Sequence, residues 1–523
     1  FFFFFFPFFH PNVVCVLPHQ RILTTFYRLC MSSRLSRKKS EMMEIENPSP
    51  SSSSSTHKLS EKHIDPRNIW PLALNLLSCF LFMMNSYIVE PSSAYYANAL
   101  GSSDAVSGII IGAAPWFAFG SAFVYSYWTN VTYKNPILLA GLFMIIGNLL
   151  YANAYAAQSM TMCLVGRSLT GLGAPRVINR RYVADATPFA LRTAANAAFA
   201  MVTALGSALG PGMAILLNFL DFQFRLPLFG TQIVNGMTAP GYFMALSWFL
   251  YTVTIWFTFQ EPIRTGLEEL REREARNPRG TDEETALVSE IESDDNTARE
   301  RRPIPIFQSV SCLRRISNMT ILCMIVIFIK RSVLESMIAS TSVITKNRYL
   351  WTIGNVGTMH LVNGIIVIPV SIMAGYLSQF YEDRFLALCL IAITLMGLMI
   401  LVDGSDIVEH SNDTYNEESI WSVGPKRYVL GSLIAFSGIE ACNPFVASLM
   451  SKVVPSDLAA GTLNSGLLST LVGTSGRATG DFLIAIMGFI SIRNLLNLLI
   501  IPGILMMLLC GFLIRRNYHS LAV

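Results

Sequence analysis

Runs of about twenty apolar residues recur from residue 69 onward, separated by short polar or charged stretches. About twenty helical residues cross the hydrocarbon core of a bilayer, so each run predicts a membrane-spanning helix. The first six fall at residues 69 to 89, 105 to 128, 136 to 156, 160 to 184, 193 to 216 and 240 to 259. The second six fall at 318 to 343, 355 to 377, 385 to 403, 427 to 449, 462 to 488 and 494 to 514. The pattern predicts an all-α membrane protein of about twelve transmembrane helices in two six-helix halves, 68 to 259 and 318 to 515, with a short tail at 516 to 523. Residues 260 to 317, between the halves, are dense in both signs of charge and almost free of aromatics, so they predict a linker that stays in water.

An even number of spans puts both termini on one side. Lys and Arg in short loops stay cytosolic, and Arg34, Arg37, Lys38, Lys39, Arg180, Arg181, Arg192, the linker, Arg515 and Arg516 all fall on one face. That face is expected to be cytosolic, although Arg225, Lys346, Arg348, Lys426 and Arg427 weaken the bias from the other side. Asn412 begins an NDT sequon in the non-cytosolic loop 404 to 426, whereas the NVT at Asn130 falls in a cytosolic loop and is expected to be unused.

Composition agrees with lipid as part of the solvent. The 523 residues are 52% hydrophobic and 14% charged, with a mean hydropathy of +0.47. The net charge of +4 is spread over loops and termini, which excludes nucleic acid as a partner class. Nine cysteines, among them Cys79, Cys163, Cys323, Cys389, Cys442 and Cys510, form no CxxC pair, so they are read as packing residues with no metal or cofactor implied. The opening FFFFFFPFFHPNVVCVLPHQ lacks an initiator Met, a basic start and a cleavage site. It is read as a gene-model artefact or a fragment, with Met31 or Met42 as a natural start. From there to Arg67 the Ser-rich basic stretch is expected to be a disordered cytosolic tail.

A charge inside a span is costly unless it pairs or lines a wet cavity, so each is a site candidate. The fourth span carries Arg167, Arg176, Arg180, Arg181 and Asp185. At 100° per residue along one helix, Arg167 and Arg181 share one face, and Arg176 and Arg180 a nearly opposite one. Arg180 and Arg181, near the cytosolic end, suit either snorkelling anchors or substrate contact. Arg176 lies deeper, where a cation facing an anion or a buried acid is the better reading. In the seventh span Arg331 and Glu335 are four apart and can pair along the helix, which leaves Lys330 unpaired within it. Arg477 and Asp481 repeat the spacing in the eleventh span, and the tenth adds Glu440. These groups would suit an anion site with carboxylates for proton coupling, and mutual charge pairing would account for them equally. Gly206, Gly210, Pro211 and Gly212 in the fifth span predict close packing and a bend, and Gly476 and Gly480 repeat the interval in the eleventh.

Several segments resemble the major facilitator superfamily: GRSLTGLG its fourth-helix Arg motif, LGSALGPG its fifth-helix Gly-Pro motif, and GYLSQFYEDR, ending in Asp383 and Arg384, its gating turn between helices eight and nine. The matching first-half turn, SYWTNVTYKNP, lacks that Asp and Arg. Over residues 70 to 515 the segments NSYIVEPSSAYYANALG, GNLLYANAY, GLGAPRVINRRYVAD, QFYEDR and GTLNSGLLST, with Arg477 and Asp481, look like the vacuolar phosphate transporters of plants and algae, which join an SPX domain to a major facilitator domain. That resemblance implies phosphate movement across a vacuolar membrane. The short tail leaves no room for an SPX domain, so its inositol-pyrophosphate sensing is expected to be absent. Leu471 stands where an acidic residue is expected after GLLST.

The expectation is therefore an alternating-access carrier of a small inorganic anion, with no covalent chemistry and with membrane lipid as its other partner. Arg167, Arg176, Arg180, Lys330, Arg331 and Arg477 are the substrate candidates. Glu335, Glu440 and Asp481 are the coupling or charge-pairing candidates. A lysosomal-type major facilitator carrying chloride, and a non-transporting scaffold or sensor, are the alternatives.

Overall fold

The structure is a computed structural model, and it describes residues 66–188, 192–226, 230–266, 318–378, 380–405, 422–453 and 465–521. The N-terminal tail before residue 66, most of the central linker, the sequon at Asn412 and the start of GTLNSGLLST lie outside the described residues.

Helix α1, Pro66–Tyr87, ends just before Pro91. A single 3-10 turn, Glu90–Ser92, leads into the short α2, Ser93–Ala99. Then follow α3, Ser107–Trp128, and α4, Lys134–Asn153. The fourth span is two helices, α5, Met160–Leu172, and α6, Arg176–Ala186. Ser159 caps α5 by accepting from the Met162 N–H at 3.2 Å. The break between α5 and α6 holds Gly173 and Pro175; proline has no N–H to give the preceding helix, and its fixed φ suits a new helix start. Helix α7, Arg192–Leu217, runs unbroken through Pro211, and α8 is Ala239–Thr258. The second half contains α9, Asn318–Tyr349; α10, Ile353–Leu377; α11, Asp383–Ile400; α12, Pro425–Val453; α13, Ser465–Ile490; and α14, Leu495–Arg516.

The twelve spans thus sit within a few residues of the apolar runs. Two differences have physical causes. The seventh span continues six residues past its apolar run, because Lys346, Asn347 and Arg348 in its last turns find polar partners. The loop between α7 and α8 holds an antiparallel hairpin, β1 Phe222–Leu226 with β2 Gly230–Val234, so the protein is not purely helical. Phe222 and Phe224 alternate with Gln223 and Arg225 along β1, the two-residue period of a strand.

Each half has its own apolar core: Met144, Ile178 and Trp248 belong to the first, and Leu334, Ile439 and Met507 to the second. The halves meet mainly where α3 packs on α13 and α7 on α10. Both glycine intervals seen in the sequence serve helix packing, Gly206 and Gly210 against α1 and Gly476 and Gly480 against α9. Among the described residues eight helical segments are long and apolar enough to cross a membrane alone. The α5–α6 segment, α8, α9 and α13 fall outside that set, and three of these four carry buried charges, Arg167 and Asp185, Lys330 and Glu335, and Arg477 and Asp481.

Candidate functional site

Between the halves lies a cavity of about 30 Å³, which by volume holds about two waters in this conformation. Its wall comes from α1 (Phe82, Asn85, Ser86), from α3 around Pro115, from both sides of the α5–α6 break, and from Thr470, Thr474 and Arg477 on α13. Three guanidinium groups, of Arg167, Arg176 and Arg477, line it, and none of its lining residues is acidic.

The break in the fourth span makes this grouping. A continuous helix would put Arg167 and Arg176 on nearly opposite faces. Because α5 ends at Leu172 and α6 begins at Arg176, both side chains reach one cavity, which corrects the face assignment made from periodicity. Arg167 is 1% exposed and spends its Nε on the Ile110 carbonyl at 3.2 Å, while its Nη1 has no partner. Arg176 makes no hydrogen bond or ion pair among the described residues. The unspent donors of these two arginines border the cavity, where they can serve the acceptor oxygens of an anion.

Beside the cavity lies a charge network across the halves. Arg331 pairs with Glu335 at 2.6 Å, the i,i+4 contact expected from the spacing, and with Glu440 at 3.3 Å. It also donates to the Tyr87 hydroxyl at 3.0 Å, which in turn donates to Glu335 at 3.2 Å. Asn443 donates to the other Glu440 oxygen at 2.6 Å. Arg477 does not mainly serve Asp481, its neighbour along α13. It donates to Glu90 at 3.4 Å and lies 3.4 Å from Glu335, with its guanidinium 4.7 Å from the Tyr87 ring centre. Asp481 is wholly buried and neither of its oxygens has a hydrogen-bond partner.

The other candidates stand apart from the cavity. Arg180 donates to Thr470 at 2.8 Å, joining α6 to α13. Lys330, 3% exposed, has Cys442, Glu440 and Cys510 as ionisable neighbours, which places it inside the second half and off the cavity wall. Asp383 accepts from Ser448 at 2.6 Å, and Arg384 pairs with Glu382 at 2.6 Å and stacks on Tyr518, so this turn is tied within its own half. Leu471 packs with Ala122, Val177 and Leu467. Of the six cysteines described, Cys389 is exposed and the other five are buried.

Three features escaped the sequence reading. Glu90 sits one residue past the first apolar run, where it looks like a loop acid, yet it is 1% exposed. Tyr87 carries no charge to flag it. The first-half turn that lacks an Asp-Arg pair is held by other means: Arg181 donates to the Ser126 carbonyl at 2.7 Å and to Asn130, and Tyr133 donates to Asp185 at 2.7 Å. Arg264 lies 3.7 Å from Asp185 and stacks over Tyr133, and Glu261 accepts from the Tyr133 and Lys134 N–H groups.

Comparison with known proteins follows the same lines. The model of the Major Facilitator Superfamily matches residues 76–480. An SPX domain-containing membrane protein of Oryza sativa subsp. indica is 31% identical over 453 residues, covering 83% of this chain and 62% of that protein. One from Arabidopsis thaliana is 32% identical over 469 residues, covering 85% of this chain and 64% of the relative. The chain therefore spans less than two thirds of the length of these relatives. Among solved structures, a POT peptide transporter in complex with sulfate has a TM-score of 0.58 at 17% identity, covering 86% of this chain and 94% of that one. A D-xylose-proton symporter has a TM-score of 0.56 at 12% identity, covering 84% and 96%.

Proposed function

The chain belongs to the Major Facilitator Superfamily, and we propose that within it this membrane transporter moves a small inorganic anion, phosphate in the first place, across a vacuolar or related endomembrane by alternating access. The observation that carries this reading is the cavity itself: three guanidiniums in a wall without a carboxylate, two of them with donors to spare. A phosphate ion leaving water needs charge-assisted hydrogen bonds in exchange, and planar guanidinium forks match its oxygens. The likeness of NRRY, QFYEDR and GLLST to vacuolar phosphate transporters supports the same substrate.

The rest of the structure supplies the mechanics. The two halves rock about the α3–α13 and α7–α10 contacts, exposing the cavity to one side and then the other. At the end proposed to face the lumen, Lys346 binds Asp104 at 2.6 Å and Asn347 binds it at 3.0 Å, which closes that side. At the proposed cytosolic end, Arg180 and Thr470 join the halves.

Uptake of labelled phosphate by the reconstituted chain tests the reading. Wild-type protein should take up phosphate, Arg176→Gln should not at equal abundance, and Arg176→Lys should raise the half-saturating concentration. Wild-type uptake by well-folded Arg176→Gln overturns the assignment. The small cavity also accommodates a halide, so chloride is the second reading; phosphate uptake that is undiminished by excess chloride excludes it as a competing substrate.

A further inference from the structure

We propose that Tyr87 is a positioning residue for transport: its ring fixes the plane of the Arg477 guanidinium and so aims that fork into the anion cavity. This rests on the anion reading above and assigns what holds one of the three cavity cations in place. Tyr87 is not part of the cavity wall, whereas Arg477 is.

Tyr87 is the last residue of α1, in the first half, yet its side chain, 4% exposed, packs into the apolar core of the second half. Gly210 of α7 stands behind it. A Cβ on Gly210 would lie 3.1 Å from the Tyr87 Cβ, so the close packing of α7 on α1 fixes where the side chain begins. At its far end the hydroxyl accepts from Arg331 at 3.0 Å and donates to Glu335 at 3.2 Å. A ring held at both ends is a rigid plate, and the guanidinium carbon of Arg477 lies over it, 4.7 Å from its centre.

The polar contacts of Arg477 are too long to set its direction. Its Nη2 reaches Glu90 and its Nε approaches Glu335 at 3.4 Å each, outside the about 2.7–3.2 Å of well-formed N–H···O bonds. Arg331, by contrast, meets Glu335 at 2.6 Å. Attraction between charges falls only as the inverse of distance, so the two carboxylates hold the guanidinium nearby and leave its tilt loosely defined. A flat cation stacked on a ring has its plane set by that ring. The plane matters, because two parallel N–H groups meet two oxygens of a phosphate only when the fork is correctly turned. Ring and fork belong to different halves, so the first half sets the aim of a second-half cation in this conformation.

Initial uptake of labelled phosphate against concentration, by the full chain in proteoliposomes, separates aiming from packing. Tyr87→Leu removes ring and hydroxyl. It should raise the half-saturating concentration about tenfold, the equivalent of ~1.4 kcal/mol, and change the maximal rate per folded transporter by less than about twofold. The conservative Tyr87→Phe keeps the ring and should return the half-saturating concentration to within about twofold of wild type. Abundance and melting midpoint are measured alongside. If Tyr87→Leu lowers abundance or maximal rate with the half-saturating concentration unmoved, the proposal falls and Tyr87 is a packing residue. If Tyr87→Phe is as impaired as Tyr87→Leu, it falls as well, because the hydroxyl between Arg331 and Glu335 is then the group that matters. Both results leave the anion reading intact, whereas wild-type protein that takes up no phosphate sinks the two together. Where Tyr87→Leu does not fold, Tyr87→Met, which fills more of the ring's volume without a flat face, is judged by the same criteria.

Discussion

Arg477 on α13 donates across the interface between the halves to Glu90, 387 positions earlier in the chain, at 3.4 Å. Both side chains are buried, and removing one member of a buried pair leaves the other charge uncompensated, at a cost of about 3–5 kcal/mol. Arg477→Gln strands Glu90 and leaves Glu335 to Arg331 and Tyr87 alone, and is expected to lower folded abundance and the apparent melting midpoint in detergent. Glu90→Gln leaves Arg477 beside Glu335 and should cost less. The double variant should melt above Arg477→Gln alone; a double variant that melts below both singles would refute the pairing.

A second prediction concerns pH at the end of the molecule where α9 stops. Asp403 is buried; burial pushes its carboxyl up, but hydrogen bonds from Ser405 and the neighbouring Arg348 guanidinium outweigh that and hold it below the ordinary range. A carboxyl lowered by folding adds stability above its unfolded pKa of about 3.9, and the gain is lost as pH falls through the folded value. This tie should thus contribute equally from pH 8 to pH 5 and fade only below about pH 4. Asp403→Asn should lower the melting midpoint across pH 5–8 by the equivalent of about 2 kcal/mol. A loss appearing only above pH 6 would contradict the sign.

Topology gives a third prediction. Arg180, Arg181, Arg264, Arg515 and Arg516 fall at one end of the helices, and the positive-inside bias predicts that this end is cytosolic. Protease added to sealed, cytosol-side-out vesicles should cleave within the linker 267–317. Cleavage seen only after detergent would reverse the orientation.

How much of this was legible in the sequence depends on the range of the interaction. The spans follow from runs of about twenty apolar residues, a local property. The Arg331–Glu335 pair follows from i,i+4 spacing, also local. Arg167 and Arg176 were found as buried cations, but their shared cavity depends on a helix break that a 3.6-residue period extrapolates straight through. Glu90 was overlooked because hydropathy ends the first span one residue before it. Its partner Arg477, like the placement of Lys330 beside Cys442 and Cys510, is set by tertiary packing that no spacing along the chain encodes.

The last prediction concerns the Lys346–Asp104 contact. Lys346 ends α9 in the second half and Asp104 opens the turn before α3 in the first, so the 2.6 Å bond spans the halves; Asn347 adds a 3.0 Å bond to the same carboxylate. Just inside it, the Ser93 and Ser342 hydroxyls meet at 3.0 Å and both residues are buried. If this contact holds one end shut, its loss should raise the population open to that side, by about tenfold for each ~1.4 kcal/mol of bond strength removed. A Ser342→Cys variant, in a background where the exposed Cys389 and also Cys15, Cys30 and Cys312, which lie outside the described residues, are replaced, reports that opening through its rate of modification by a membrane-impermeant thiol reagent. Asp104→Asn should speed modification several-fold. Exchanging the charges, Asp104→Lys with Lys346→Asp, should restore the slow rate, because the bond is remade with opposite polarity. An unchanged rate in Asp104→Asn would show that the helices close this end without it. A fast rate in the exchanged pair would show that Asp104 acts through Asn347 instead.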